Sequence, residues 1–173
     1  MNYKEKLHVI KNFVFDIDGV FTNGLIMIDS LGNESRTFNT KDGIAIKHAI
    51  ENQYNIAIIS GANNEGIRIR LKKLGVKNIF LGSNNKLEDL KKYMKSHKLS
   101  IEETVYMGDD IPDINSMSYV GLKACPYDAI PEVRSISDYV SPKKGGEGCV
   151  RDIIEQTLKV QNNWELNDSS QNI

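Results

Sequence analysis

Val9-Ile10-Lys11-Asn12-Phe13-Val14-Phe15-Asp16-Ile17, followed at once by Asp18-Gly19, is the stretch from which the rest of the chain can be read. Valine, isoleucine and phenylalanine dominate it and the Asp-Gly pair is a turn signal, so residues 9–17 are expected to form a buried strand that stops at carboxylates. Short apolar runs recur at Ile56–Ser60, Asn78–Leu81, Thr104–Met107, Val120–Leu122 and Asp138–Val140. Between them, Lys41–Gln53, Glu65–Leu74, Lys86–His97 and Gly148–Gln161 read as helices; Ile67, Leu71 and Leu74, for example, share one face. This alternation predicts an α/β fold, a Rossmann-like parallel sheet with helices on both faces. One region departs from it. Gly24–Asp29 and Glu34–Phe38 are extended runs around the turn Ser30–Asn33, which predicts a β-hairpin inserted straight after strand 1.

At 173 residues, the chain has the size of one domain, with a core over about residues 9–162 and a polar, mobile tail over 163–173. Its 22 Lys+Arg against 23 Asp+Glu leave a net charge of −1, which argues against a nucleic-acid partner. No apolar run approaches the roughly 20 residues a bilayer span requires, so no membrane partner is expected. Met1–Ile10 lacks the apolar stretch of a secretory signal, which places the protein in the cytoplasm. Cys125 and Cys149 show no metal-ligand spacing and are expected as free thiols.

In an open parallel sheet, ligands bind beyond the carboxyl ends of the strands. Those positions hold Asp16 and Asp18 after the first strand, Ser60-Gly61 after the second, and Gly108-Asp109-Asp110 with Asp113 after the fourth. Carboxylates gathered at one edge repel one another unless a cation sits among them. Oxygen ligands without His or Cys select Mg²⁺, which pairs naturally with phosphate. Asp16 and Asp109 are the candidate ligands, and Asp18 offers its backbone carbonyl while its carboxyl stays free for proton transfer. An aspartate beside Mg²⁺ can attack phosphorus and form an aspartyl-phosphate. Asp18 is placed to protonate the leaving oxygen and then to activate water. Ser60, Gly61 and a lysine would stabilise the transferring phosphoryl group. Lys86, opening a helix after the Leu81-Gly82-Ser83 turn, is the candidate lysine, with Lys41 and Lys143 as rivals.

Taken in order, Phe15-Asp16-Ile17-Asp18-Gly19-Val20-Phe21-Thr22, Ile59-Ser60-Gly61, Lys86 and Gly108-Asp109-Asp110-Ile111-Pro112-Asp113 resemble the four motifs of the haloacid dehalogenase superfamily of phosphatases. The likeness runs from about Asn12 to Gln161 and includes Phe38-Asn39-Thr40-Lys41-Asp42-Gly43 and Lys144-Gly145-Gly146-Glu147-Gly148. More narrowly, the chain resembles the small branch without a cap domain that hydrolyses 3-deoxy-D-manno-octulosonate 8-phosphate for lipopolysaccharide synthesis. The resemblance implies Asp16 as nucleophile, Asp18 as acid/base, Ser60 and Lys86 as phosphate contacts, and Asp109 as the second metal carboxylate, with Asp110 and Asp113 in support. It implies substrate contacts at Asp18, Phe38, Asn39, Thr40, Lys41, Asp42, Gly61, Arg68 and Lys86. It also implies a homotetramer assembled through the hairpin, with neighbouring subunits closing each site.

Two positions depart from the pattern. Many members carry an arginine after the second-motif glycine, where this chain has Ala62, so a positive group near the substrate is missing and Arg68 or Arg70 become its candidate replacements. Asn23 stands where many have aspartate. The same residues admit blander readings. A calcium loop of the EF-hand kind puts glycine at its sixth position, whereas Gly19 is fourth counted from Asp16. Ser60-Gly61 taken alone is turn chemistry, one of Asp109 and Asp110 fits a helix N-cap, and Arg68 and Arg70 fit a solvated helix face beside Lys72 and Lys73. Rival functions are a phosphatase for a nine-carbon keto sugar acid phosphate, and a catalytically silent assembly module that keeps the fold. Intact Asp16, Asp18, Lys86 and Asp109 argue against the latter. Gly145-Gly146-Glu147-Gly148 reads as a flexible loop before the last helix, able to reach a neighbour's site.

Overall fold

The computed structural model describes residues 2–165. In chain order the elements are α1 (Tyr3–Leu7), β1 (Asn12–Phe15), β2 (Met27–Ile28), β3 (Glu34–Ser35), α2 (Thr40–Glu51), β4 (Asn55–Ser60), α3 (Glu65–Lys73), β5 (Asn78–Leu81) and α4 (Lys86–Ser96). There follow β6 (Thr104–Met107), a 3₁₀ turn (Ile111–Asp113), α5 (Ile114–Met117), β7 (Leu122–Cys125), α6 (Pro131–Ile136), β8 (Tyr139–Val140) and α7 (Cys149–Val160). Six strands form one parallel sheet in the order β5-β4-β1-β6-β7-β8.

Strand periodicity divides the core between the two faces. Phe13, Phe15, Ile56, Ile58, Val105 and Met107 point to one side, where α2, α3 and α7 cover them with Ile46, Leu71 and Ile153. Val14, Ala57, Ile59 and Tyr106 point to the other, under Leu90 and Tyr93 of α4, Met117 of α5 and Val133 of α6. The central strand β1 is buried along its whole length, as expected for a parallel strand with both faces covered. Each fully buried aliphatic or phenylalanine side chain contributes roughly 1.5–3 kcal/mol by leaving water.

Several boundaries differ from the sequence expectation. The first strand is shorter than residues 9–17: Asn12–Phe15 pair on both sides, the Asp16 N–H still reaches the Met107 carbonyl at 3.1 Å, and the chain then turns. The strand expected at Val120–Leu122 lies instead at Leu122–Cys125. Gly121 sits against the Glu102 backbone and donates its N–H to the Ile101 carbonyl, so Val120-Gly121 closes a turn rather than joining the ladder. The hairpin exists with only two residue pairs, Met27–Ser35 and Ile28–Glu34, not the longer arms expected. Its turn is held by Asp29, whose carboxylate accepts from the Leu31 and Asn33 backbone N–H groups and the Asn33 side chain. The first residues of the expected tail are packed: the Asn163 amide donates to the Tyr54 hydroxyl, and Trp164 packs edge-on against His48 beneath Arg151. Residues 166–173 of that tail lie outside the described residues. Between β1 and α2 the only paired structure is the hairpin. No helix among the described residues is long and apolar enough to cross a membrane.

Candidate active site

Sheet order places the site. From β1 the chain moves outward through β4 to β5, and later from β6 outward through β7 to β8, so the connections diverge at the carboxyl ends of β1 and β6. A crevice opens at such a switch point. Asp16 follows β1 and Asp109 follows β6, which brings residues 93 positions apart to the same spot. A cavity of about 800 Å³ opens there, lined by Asp16, Asp18, Ser60, Gly61, Lys86, Asp109, Asp110 and Asp113, with Ala62, Asn84, Asn85 and Asn115 at its rim.

Lys86 is the first residue of α4 and is buried, with its Nζ 3.0 Å from Asp16 Oδ2 and 2.8 Å from Asp113 Oδ1. The rivals Lys41 and Lys143 are exposed and line none of this cavity. Asp113 is fully buried and saturated: it accepts from Lys86, from the Tyr106 hydroxyl at 2.9 Å, and from the Asp109 and Asp110 backbone N–H groups at 3.1 and 3.4 Å. Asp113 is therefore the hub that fixes the lysine and the Asp109 turn. Asp110 caps the 3₁₀ turn through the Ile111 N–H at 2.7 Å.

Burial, followed by repulsion from Asp113 and offset by Lys86, raises the Asp16 carboxyl to about 6. Burial, then the Asp16 and Asp113 charges, raises that of Asp109 to about 8. For Lys86, burial acts downward but Asp16 and Asp113 outweigh it, so the ammonium is held charged above its ordinary value. Asp16 Oδ1 and Asp109 Oδ1 are both buried without a hydrogen-bond partner. Oxygens of Asp16, Asp109 and Asp113 lie within 4.8 Å of one another. With Asp113 committed to its four donors, the two orphaned oxygens of Asp16 and Asp109 fit a hard divalent cation, which would relieve the repulsion that raises both carboxyls.

The loop that carries the aspartates is tightly fitted. Gly19 adopts φ +85°, and a Cβ there would overlap the Asp109 carboxylate. Behind it, Gly146 donates its N–H to the Val20 carbonyl at 3.0 Å, a Cβ on Gly145 would overlap the Gly19 carbonyl, and the Asn39 amide donates to the Gly146 carbonyl. The glycine loop, expected to be flexible, is thus bound to its own chain as a brace for the Asp18-Gly19 turn.

Asp18 corrects a second expectation. Its carboxyl is not free: Arg36 Nε lies 2.7 Å from Oδ1 and Nη2 3.0 Å from Oδ2, and the Thr22 hydroxyl adds a longer contact at 3.4 Å. Of the expected substrate contacts, Gly61, Lys86 and Asp18 line the cavity and the others do not. Phe38 packs on Phe21. Asn39 caps α2 through the Lys41 N–H, leaving Thr40 and Lys41 exposed on the first turn. Asp42 is fully buried and accepts the Arg151 N–H at 2.8 Å near the start of α7. Arg68 turns to the Ile79 carbonyl at 3.3 Å and to Glu65. Ser60 is buried at the end of β4, where its hydroxyl accepts the Ala62 N–H at 3.2 Å. Arg36 and Tyr106 escaped the sequence reading, Arg36 as one residue of a hairpin arm and Tyr106 as the middle of an apolar run.

This fold with this carboxylate–lysine cluster defines a haloacid dehalogenase-like hydrolase, and the family of that description matches residues 78–153. The chain belongs to this family through relatives that align over nearly its whole length. It is 31% identical over 97% of its length to the 3-deoxy-D-manno-octulosonate 8-phosphate phosphatase of Haemophilus influenzae, 93% of which is covered. It is 33% identical over 90% of its length to the Escherichia coli K12 enzyme of the same name, 83% of which is covered. The crystal structure of the Moraxella catarrhalis phosphatase of that name, in complex with a magnesium ion, a phosphate ion and a KDO molecule, superimposes with a TM-score of 0.90 at 32% identity, covering 93% of this chain and 92% of that one.

Proposed function

We propose that the chain is a Mg²⁺-dependent phosphomonoesterase that hydrolyses 3-deoxy-D-manno-octulosonate 8-phosphate to the free sugar acid and phosphate, a step in making lipopolysaccharide precursors. The observation that carries this reading is the buried Asp16 carboxylate, tied to Lys86 at 3.0 Å on one oxygen and orphaned on the other, beside the orphaned Asp109 oxygen. Asp16 is the nucleophile; Lys86 and Ser60 hold phosphoryl oxygens, and the Gly61 backbone lies at the same wall. Asp16, Asp109 and the Asp18 backbone carbonyl hold Mg²⁺, which when bound offsets the negative charge of the carboxylates and the phosphoryl group. Asp18 delivers a proton to the departing sugar oxygen and then takes one from the water that opens the aspartyl-phosphate. Asp110 and Asp113 act in support, Asp113 by fixing Lys86.

The enzyme works as a cytoplasmic homotetramer with sites at subunit interfaces. Support comes from the exposed apolar hairpin, where Leu25, Met27 and Ile28 face solvent in the single chain. Thr40 and Lys41, exposed at the head of α2, then contact substrate in a neighbour's site, while Phe38, Asn39 and Asp42 shape that turn and Arg68 contributes from the first turns of α3. The test is phosphate release from 3-deoxy-D-manno-octulosonate 8-phosphate, 6-phosphogluconate and mannose 6-phosphate, with Mg²⁺ and with a chelator, alongside light scattering. Selective, Mg²⁺-dependent turnover of the eight-carbon acid is expected from a particle of four chains. Preference for another ester overturns the substrate, and a monomer with full activity overturns the assembly.

A further inference from the structure

Arg36 joins the hairpin arm to the active-site turn, beside a second link in which the Asn64 amide donates to the Glu34 carbonyl. It belongs to the exposed hairpin arm, yet its side chain is only 4% exposed, because Asp18 takes its Nε and Nη2 and Glu34 takes its Nη1 at 2.9 Å. A fork-to-fork guanidinium–carboxylate pair is among the strongest and most directional side-chain contacts. While it is made, both Asp18 oxygens are engaged. A residue needed for proton transfer is thus held out of use. Arg36 also lines a second cavity of about 580 Å³, with Asp18, Glu34, Gly61, Ala62 and Asn64 among its walls. Asp18, Gly61 and Ala62 border the Asp16 cavity too, so the two spaces share a wall. Lys86 is the sole cationic residue lining the first cavity and Arg36 the sole one lining the second. Lys86 is committed to Asp16 and Asp113.

We propose that Arg36 is a substrate-operated latch on Asp18: the carboxylate of a phosphorylated sugar acid, seated in the second cavity, replaces Asp18 on the guanidinium and frees Asp18 for its proton-transfer role. The exchange is carboxylate for carboxylate, so the guanidinium never loses its counter-charge, and Glu34 keeps the arm in place throughout. Charge alone selects the substrate class. An ester with a second anionic group opens the latch, whereas the phosphate of a neutral sugar, with no second anion, fills the Asp16 cavity and leaves Asp18 held. The inference rests on the proposed phosphatase reading but not on which sugar acid is the substrate.

The experiment measures kcat/KM for two carboxylate-bearing esters, 3-deoxy-D-manno-octulosonate 8-phosphate and 6-phosphogluconate, and for the neutral-sugar ester mannose 6-phosphate, whose only charge is its phosphate, in the native enzyme and in Arg36→Gln and Arg36→Lys. For Arg36→Gln the expected result is a roughly 100-fold loss on whichever acid ester the native enzyme turns over, with turnover of the neutral ester rising because Asp18 is no longer held. Arg36→Lys, which keeps the charge but only one contact, falls between. Equal losses on acid and neutral esters overturn the latch and leave Arg36 a structural residue. Because Arg36→Gln could lose its fold, the native protein supplies a second reading: the Arg36 Nε–H resonance shifts on adding 3-deoxy-D-manno-octulosonate and stays fixed with mannose. A shift with neither overturns the latch. Native turnover of 6-phosphogluconate alone overturns the proposed substrate and keeps the latch; no native turnover of any ester overturns both.

Discussion

Two turns follow one another after the central strand, and both need a left-handed glycine. Gly19 has φ +85° and Gly32 φ +82°. A Cβ on Gly19 would run into the Asp109 carboxylate, while a Cβ on Gly32 meets nothing within 4 Å. The flanks differ in the same way: Ile17, Val20 and Phe21 are at most 1% exposed, whereas Met27 is 75% and Leu31 85% exposed. The same backbone requirement therefore serves opposite ends. In the first turn it brings two backbones and two carboxylates together for chemistry, and in the second it only reverses the chain and presents an apolar edge outward. The first turn is fixed by its neighbours on every side, whereas the hairpin strands share only two residue pairs and join the body through Arg36–Asp18 and the Asn64 amide on the Glu34 carbonyl.

The sharpest break of the first turn is Asp16→Asn. Expected turnover falls by about 10⁴-fold or more, as for removal of other nucleophiles. The fold persists, because the change removes a charge whose burial already disfavours it; retained activity would sink the nucleophile assignment. Gly19→Ala comes next, with an expected loss of roughly 10²–10³-fold, since the added Cβ displaces the Asp109 carboxylate proposed to hold the metal. Full activity in that variant would mean that the Gly19–Asp109 contact is not needed. Asp113→Ala acts on stability as well as rate. It leaves Lys86 with Asp16 alone and removes the acceptor of the Tyr106 hydroxyl and of two backbone N–H groups, at a cost of about 3–5 kcal/mol readable as a lowered urea midpoint.

The cluster's response to pH is a milder test. Asp16 and Asp109 are raised from 3.8 to about 6 and about 8, so the metal-free fold favours their protonated forms. Their contribution to stability is complete below the ordinary carboxylate range and is lost as pH rises through about 6 and then about 8. Mg²⁺ needs the ionised forms. The rise in melting temperature on adding Mg²⁺ is therefore expected to grow from about pH 4 to about pH 8. An increment that stays flat over that range would separate the carboxylates from the metal.

How much of this was legible follows from where the information lies. The strands β5 and β6 match their expected bounds because each is a short apolar run between turn residues. The strand β7 slipped because Ala124 and Cys125 carry no strong strand signal and Gly121 is committed by a contact with Glu102, remote in sequence. The helices α1, α5 and α6 span about one turn each, too short for periodicity to show. The places of Asp16, Ser60 and Asp109 were legible because strand ends mark them, whereas Lys86, at the start of α4, stood in the sequence beside its rivals Lys41 and Lys143. Arg36 was not legible, since its pairing with Asp18 depends on how the hairpin folds back over the site, and Asp113 was underrated because its four donors come from α4, from β6 and from the turn that follows β6.

The smallest expected effect belongs to the second turn. Gly32→Ala forces a side chain into a left-handed conformation at a cost of about 1 kcal/mol with no clash to add to it. Were the hairpin part of one cooperative unit with the sheet, that loss would lower the melting temperature by about 2–4 °C for a domain of this size. The two strand pairs and the exposed flanks argue that it is a separate, weaker unit, so melting is expected to move by less, while amide exchange quickens over residues 27–35. Through Arg36 the same change reaches the site. A looser arm holds Asp18 less firmly, so the preference for acid over neutral esters is expected to narrow slightly, in the direction of Arg36→Gln but far short of it. A full drop in melting temperature with an unchanged preference would reverse both halves of the comparison, making the hairpin structural and Arg36 indifferent to it.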